Sequence, residues 1–175
     1  MQEIGRETGK REMNRKWNLL AIITVSIVFL DQFSKNLIAK TMYLGQSFQI
    51  IDHILRIVYI KNPNAAFGIP VGSPLLMMIL TSIATILLLV YFVRLKAEGT
   101  LLYVGLAMII SGAIGNLVDR FRMGQVVDFI EIGVRNFKWP VFNFADSSVT
   151  IGIVLILWVW IFGGKKDLTN HEDMI

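Results

Sequence analysis

The chain alternates long apolar segments with polar or mixed ones. Each apolar segment is long enough, at about 1.5 Å per residue, to cross most of a hydrocarbon core about 30 Å thick. We therefore predict four transmembrane spans, at residues 17–38, 74–93, 101–118 and 147–162. No internal repeat or second core is visible. The predicted fold class is an all-α transmembrane four-helix bundle with a small external β-rich cradle, forming a single domain over residues 17–162.

The cradle is predicted from the two long segments between spans, residues 40–73 and 119–146. In the first, SFQII and ILRIVYI are short runs rich in β-branched and aromatic residues, separated by Asp52 and His53. This pattern predicts a β-hairpin with a turn at those two residues. The first segment is apolar and aromatic on both sides of its turn signals, which favours a small sheet lying on the membrane. Both segments are apolar enough to cradle a peptide.

The two ends of the chain are predicted to be cytoplasmic tails. Residues 1–16 are polar and basic without apolar periodicity, so we expect a disordered tail, and residues 163–175 form the C-terminal tail. No small-residue cleavage site follows the first apolar run, which indicates an uncleaved span. Lys and Arg are denser beside the termini and the short loop than in the two long segments, and the positive-inside rule then places both termini in the cytoplasm.

Composition agrees with a polytopic membrane protein. Of 175 residues, 54% are hydrophobic and 17% charged, and the mean hydropathy is +0.60. The absence of cysteine excludes disulfides, thiolate zinc sites and cysteine nucleophiles. The two His residues do not have the spacing of a zinc protease. The net charge of +4 comes from residues that flank apolar segments, which favours anionic lipid headgroups over nucleic acid as the partner.

Two aspartates stand out because of their apolar surroundings. Asp128 lies within VVDFI, with no cation within three residues, and Asp146 follows FNFA. A carboxylate in such a setting at a membrane edge is costly unless paired, so it is a functional candidate. Two carboxylates in one partly dry site share a proton, and the pair can then activate water and protonate a leaving amide. An aspartyl dyad is the main hypothesis; for Asp146, an N-cap role before the last helix is the alternative.

Further polar residues fall at the same ends of the spans as the dyad. Asp31 and Lys35 are one helical turn apart and form either a structural ion pair or part of the site wall. Asp119 adjoins Arg120, which favours a salt bridge over catalysis. The remaining candidates either orient the dyad or are satisfied loop residues; they are Asn62, Asn116, Arg120 and Asn143.

Two non-enzymatic functions compete with hydrolysis. A small transporter using intramembrane acids as a relay would spread them across the membrane depth, whereas these acids gather at one end of the spans. A structural scaffold would tolerate replacement of Asp128 and Asp146 by Asn.

Five motifs in order resemble those of lipoprotein signal peptidase (signal peptidase II), a family of bacterial aspartyl membrane peptidases. They cover most of the chain and are DQFSK at 31–35, NPNAAFG at 62–68, GNLVDR at 115–120, GQVVDFI at 124–130 and FNFADS at 142–147. One departure is Asn64, where the family usually has Gly. Asn is the next most tolerant residue of a left-handed backbone, so we expect the turn to be kept.

The resemblance implies that Asp128 and Asp146 are the catalytic pair. It implies a site supported by Asp31, Lys35, Asn62, Asn116, Arg120 and Asn143, and Asp119 of the same motif is added to this set. The implied substrate is a prolipoprotein whose cysteine carries diacylglycerol, cut just before that cysteine at the outer face of the bacterial cell membrane. No metal or cofactor is implied, and the cyclic peptide globomycin is the expected inhibitor. We further expect a strand within 47–61 to pair with the signal peptide.

Overall fold

A computed structural model describes residues 2–63, 73–95, 99–134 and 137–162, with side chains from Met13 onward. Each of its four helices contains a stretch long and apolar enough to cross a membrane, which confirms the four predicted spans. The elements, in chain order, are α1 (Gln2–Thr41), β1 (Ser47–Ile51), β2 (Leu55–Asn62), α2 (Pro74–Arg94), α3 (Thr100–Met123), β3 (Val126–Val134), β4 (Phe137–Lys138) and α4 (Phe144–Phe162).

Helix α3 is the central helix of the bundle. In its most apolar stretch of 18 residues, 56% of the residues are buried. The corresponding share is 11% to 17% in the other three helices, whose apolar side chains largely face outward. Small residues let α3 approach α4 closely; at Gly112 a Cβ atom would lie 2.7 Å from Val149 Cγ2. At the end of the bundle far from the dyad, α3 packs on α2 through Phe92, Tyr103 and Leu106.

The four strands form one antiparallel sheet in the order β1-β2-β3-β4. Strands β1 and β2 form the predicted hairpin, and His53 in its turn has a positive φ of 61°. The label all-α is therefore corrected, because nine residues of the second long segment form strand β3 and pair with β2. Among the described residues, β1 pairs with β2 from Leu55 to Val58 and β3 lies on the other side of β2, so the substrate pairing predicted for 47–61 has an open edge along β1.

The ends of α3 and α4 differ from the predicted spans. Helix α3 continues to Met123, so Asp119 and Arg120 are helical instead of starting an external segment. The helix ends where Gly124 adopts a left-handed conformation (φ 69°) and donates its N–H to the carbonyl of Arg120. Helix α4 begins at Phe144, which places Asp146 in its first turn instead of before it.

The N-terminal segment also differs from its prediction. Helix α1 begins at Gln2, so residues 2–16, expected to be disordered, continue the first span as helix. Glu, Lys, Arg and Met are good helix formers, and an existing helix is extended more readily than a new one is nucleated. The predictions for Asn64, for the rest of the 64–72 stretch and for the tail at 163–175 lie outside the described residues.

Candidate active site

The structure brings Asp128 and Asp146 to one cavity of about 940 Å³. Asp128 comes from β3 and is 2% exposed, while Asp146 comes from the first turn of α4 and is half-buried. They lie eighteen positions apart in sequence, and they meet because β3 leads through β4 back to the start of α4. The predicted pair is thus adjacent to a common space.

Both carboxylate oxygens of Asp128 accept side-chain amide hydrogens. Asn143 Nδ2 lies 2.6 Å from Oδ1, and Asn62 Nδ2 lies 2.9 Å from Oδ2. These bonds favour the ionised form, yet burial and then the nearby negative charge of Asp146 have a larger effect and raise the pKa of Asp128 to about 7. A proton is therefore available on this side chain near neutral pH.

Asp146 accepts hydrogen bonds on both oxygens and also closes a capping box at the start of α4. Asn116 Nδ2 lies 2.8 Å from Oδ1, and the backbone N–H of Asn143 lies 3.3 Å from Oδ2. In return, the N–H of Asp146 donates to Asn143 Oδ1 at 2.9 Å. Asn143 is thus the N-cap residue, and Asp146 occupies the third helical position. The capping alternative and the dyad hypothesis are compatible in this geometry.

Two asparagines connect the carboxylates to each other. Asn143 Nδ2 reaches Asp128 and also lies 3.2 Å from Asn116 Oδ1, while Asn116 donates to Asp146. Each amide has its carbonyl oxygen occupied by a donor, so its N–H group is directed at a carboxylate. The two asparagine side chains thus hold both dyad carboxylates in fixed orientations.

Behind this pair, the ammonium of Lys35 lies among three oxygen acceptors. It lies 2.8 Å from Asp31 Oδ2, 2.9 Å from Asp119 Oδ2 and 2.9 Å from Asn116 Oδ1. The ion pair predicted between Asp31 and Lys35 is confirmed. For Asp119, the sequence predicted a salt bridge with its neighbour Arg120. The cation that contacts Asp119 Oδ2 is instead Lys35 of α1. Adjacent residues on a helix point in different directions, so Asp119 and Arg120 do not face each other.

The predicted site residues divide into two groups. Besides the dyad, the cavity is lined by Asn62, Asn116 and Arg120. Four others are buried and support the dyad or its neighbours: Asp31, Lys35, Asp119 and Asn143. Within the described ranges, no three His, Asp or Glu side chains are grouped so that they could hold a metal ion.

The rest of the cavity is largely apolar and extends along the bundle. It is bounded by Met77 of α2, Ile132 and Val134 of β3, and Ile153 and Val154 of α4. Helix α2 and helix α4 contribute residues well inside their spans, so the cavity reaches from the sheet into the apolar part of the bundle. It joins a polar end that carries two carboxylates to a long hydrophobic wall.

A family model described as Signal peptidase (SPase) II matches residues 23–162. The chain belongs to the signal peptidase II family. The lipoprotein signal peptidase of Syntrophus aciditrophicus (strain SB) is 39% identical over 145 residues, covering 79% of this chain and 90% of that protein. The lipoprotein signal peptidase of Staphylococcus aureus is 38% identical over 152 residues, covering 87% and 91%. A solved "Bacterial membrane enzyme structure by the in meso method at 2.3 A resolution" is similar, with a TM-score of 0.77 and 36% identity over 85% of this chain and 90% of that one.

Membership of the signal peptidase II family makes the chain a multi-pass membrane peptidase of lipoprotein processing. The matched range contains all nine predicted site residues and leaves the first part of α1 outside. The site described above therefore lies wholly within the part of the chain that defines the signal peptidase II family.

Sequence reasoning did not single out some of the groups that complete this site. Gln32 Nε2 donates to Asp119 Oδ1 at 2.9 Å and lies 3.3 Å from Asp31 Oδ2. The backbone N–H groups of Val127 and Ala145 also donate to buried carboxylates. Gln32 was visible inside the DQFSK motif, but the backbone donors carry no signal in the residue types.

Proposed function

We propose that the chain is an aspartic endopeptidase that removes the signal peptide from prolipoproteins whose cysteine carries diacylglycerol, cutting just before that cysteine. The observation that carries this proposal is the placement of Asp128 and Asp146 at the polar end of one largely apolar cavity. A peptide bond next to a lipidated residue needs hydrolytic groups and a hydrophobic wall in the same space.

The dyad supplies the chemistry through one shared proton. With the pKa of Asp128 raised to about 7 by burial and by Asp146, the pair holds one proton near neutral pH. The ionised carboxylate takes a proton from water as its oxygen adds to the scissile carbonyl carbon. The protonated carboxylate then gives its proton to the amide nitrogen as the C–N bond breaks. Asn62, Asn116 and Asn143 hold both carboxylates in place through their amide N–H groups.

The cavity provides for the rest of the substrate. Its apolar wall from α2, β3 and α4 accommodates acyl chains that enter sideways from the bilayer. Arg120 lines the same space and attracts the negative charge that develops on the carbonyl oxygen during water addition. Globomycin, as a cyclic peptide, is expected to occupy the polar end of this cavity and to block cleavage.

The proposed orientation places both termini in the cytoplasm and the dyad near the outer face of the bacterial cell membrane. The basic N-terminal segment at the other end of α1 from Asp31 and Lys35 supports it, because Lys and Arg favour the cytoplasmic side. Membrane lipids and prolipoproteins are then the partners.

The test is cleavage of a diacylglyceryl prolipoprotein by purified protein in lipid vesicles. We expect Asp128→Asn and Asp146→Asn each to abolish turnover while the thermal unfolding transition in detergent is retained. The matched control is Asp52→Asn, an exposed aspartate in the β1–β2 turn outside the cavity, which should cut as the wild type does. Turnover near the wild-type rate in either dyad variant would rule out the aspartic mechanism.

A further inference from the structure

Two buried carboxylates behind the dyad each hold the backbone of the residue that precedes a dyad aspartate. Asp31 Oδ1 accepts the N–H of Ala145 at 3.0 Å, and Ala145 directly precedes Asp146. This N–H lies in the first turn of α4, where the helix itself supplies no acceptor. Helix α1 thereby fixes the start of α4 directly before Asp146.

The same arrangement occurs on the other side of the site. Asp119 Oδ2 accepts the N–H of Val127 at 3.2 Å, and Val127 directly precedes Asp128. Asp119 is 2% exposed, and its second oxygen accepts from Gln32 at 2.9 Å. Helix α3 thereby fixes strand β3 directly before Asp128.

One cation joins these two attachments. Lys35 Nζ lies 2.8 Å from Asp31 and 2.9 Å from Asp119, and the lysine is 2% exposed. Without an ammonium between them, two carboxylates at this burial would repel each other and would be costly to keep ionised. Each of the two carboxylates uses both of its oxygens as acceptors. An Asn side chain at position 31 or 119 could not replace it, because an amide has only one acceptor oxygen.

We propose that Asp31, Lys35 and Asp119 form a clamp that sets the spacing of the two dyad aspartates through the backbone N–H groups of Ala145 and Val127. Lys35 is then a positioning residue that touches neither dyad side chain. It acts through the two carboxylates, in addition to its hydrogen bond to Asn116 Oδ1. This role goes further than the ion pair of Asp31 with Lys35, since it connects α1 to both chain segments that carry the dyad. It rests on the proposed function for its consequence in catalysis, but not for its structural part.

The clamp has a signature that needs no turnover. Replacing Lys35 should loosen two backbone amides that it does not contact, one in α4 and one in β3. Each amide would lose a fixed, charged acceptor, so hydrogen exchange at Ala145 and Val127 should become about tenfold faster or more. A local role for Lys35 would change neither amide or only one of them.

The experiment compares Lys35→Met with Lys16→Met in the full chain in detergent micelles. Lys16 is also a buried lysine of α1, about 28 Å away along the helix at 1.5 Å per residue, where it donates to the carbonyls of Val93 at 3.0 Å and Leu95 at 2.9 Å. We expect Lys35→Met to speed exchange at both amides and to lower kcat about 100-fold with KM within about threefold. Lys16→Met should leave both amides and kcat as in the wild type.

Where Lys35→Met does not fold, Gln32→Met serves as the second variant. Gln32 is half-buried and donates to Asp119 at 2.9 Å and towards Asp31 at 3.3 Å, so its loss should move both amides in the same direction by less. Unchanged exchange at either amide in the folded variant would overturn the clamp.

The two proposals fail differently. If exchange rises at both amides while kcat stays at the wild-type value, the clamp does not position a catalytic pair. If Asp128→Asn and Asp146→Asn abolish turnover while Lys35→Met leaves both amides protected, the dyad stands and the clamp is wrong.

Discussion

Asn143 donates its side-chain N–H to Oδ1 of Asp128 at 2.6 Å, the shortest of the hydrogen bonds that asparagine side chains donate to the dyad. The other end of the same amide, Oδ1, accepts the N–H of Asp146 and caps α4. One side chain therefore serves the start of a helix and the orientation of a carboxylate. These two roles can be separated by substitution.

The first prediction concerns Asn143→Ser. Serine is as good an N-cap as asparagine, so α4 should still begin at this residue. The melting temperature in detergent should fall only by the loss of the buried amide's other hydrogen bonds. Serine lacks the N–H that reaches Asp128, so kcat should fall by about 100-fold. Turnover assays in lipid vesicles with thermal unfolding in parallel check both parts. Full turnover in this variant would reduce Asn143 to a cap.

The second prediction concerns the stability of the fold against pH. Burial and Asp146 raise the folded pKa of Asp128 to about 7 from its ordinary value of 3.8, so the folded state binds more protons than the unfolded state between these values. The contribution of Asp128 to stability should therefore be largest below about pH 4 and be lost as pH rises to about 7, a loss of about 4 kcal/mol for a shift of about three pH units.

Asp128→Asn removes that proton linkage and provides the comparison. Its unfolding midpoint in detergent should fall less than that of the wild type as pH is raised from about 4 to about 8. Asp52→Asn, which replaces an exposed aspartate, should follow the wild type. Identical pH slopes for Asp128→Asn and the wild type would show that Asp128 is ionised as readily in the folded as in the unfolded chain.

The third prediction concerns turnover against pH. The leaving amide needs the proton that the dyad holds, and the raised pKa of Asp128 means that this proton is lost as pH rises through about 7. We expect kcat for a diacylglyceryl prolipoprotein to decline above that pH while the protein remains folded. A kcat that continues to increase above about pH 8 would mean that the leaving group takes its proton from elsewhere.

Much of this fold was predictable because its strongest signals are local. Apolar runs at membrane length gave the four spans, and Asp128 within VVDFI was recognisable as a carboxylate without a neighbouring cation. The end of α3 was not predictable in the same way. Asp119 and Arg120 have the composition of a loop, and they stay helical because Asp119 is bonded to Lys35 and Gln32 of α1.

The contacts of Asp119 and the backbone donors behind the dyad could not be predicted from the sequence for a related reason. Lys35 contacts Asp119 only after α1 and α3 have packed, and nothing in either motif states which acid meets which base. The donors from Val127 and Ala145 are backbone groups, so residue types at these positions give no hint of them. Long-range pairs and backbone donors of this kind are visible only in the folded structure.

The last prediction concerns the contact between α3 and α4 that holds the dyad helix against the centre of the bundle. A Cβ atom at Gly112 would clash with the carbonyl oxygen of Ala145 and lie 2.7 Å from Val149 Cγ2. Since the first obstacle is backbone, α4 must shift at its first turn, where Asp146 lies. Overpacking of this kind typically costs about 1 to 3 kcal/mol. We expect Gly112→Ala to lower the melting temperature in detergent and to lower kcat in the fraction that remains folded. Gly99→Ala is the matched control for activity, because a Cβ atom there would meet nothing within 4 Å. Gly99 is the N-cap of α3, so a small loss of melting temperature is expected, while kcat should stay unchanged. An unaltered kcat in Gly112→Ala at reduced stability would show that the dyad tolerates a displacement of α4.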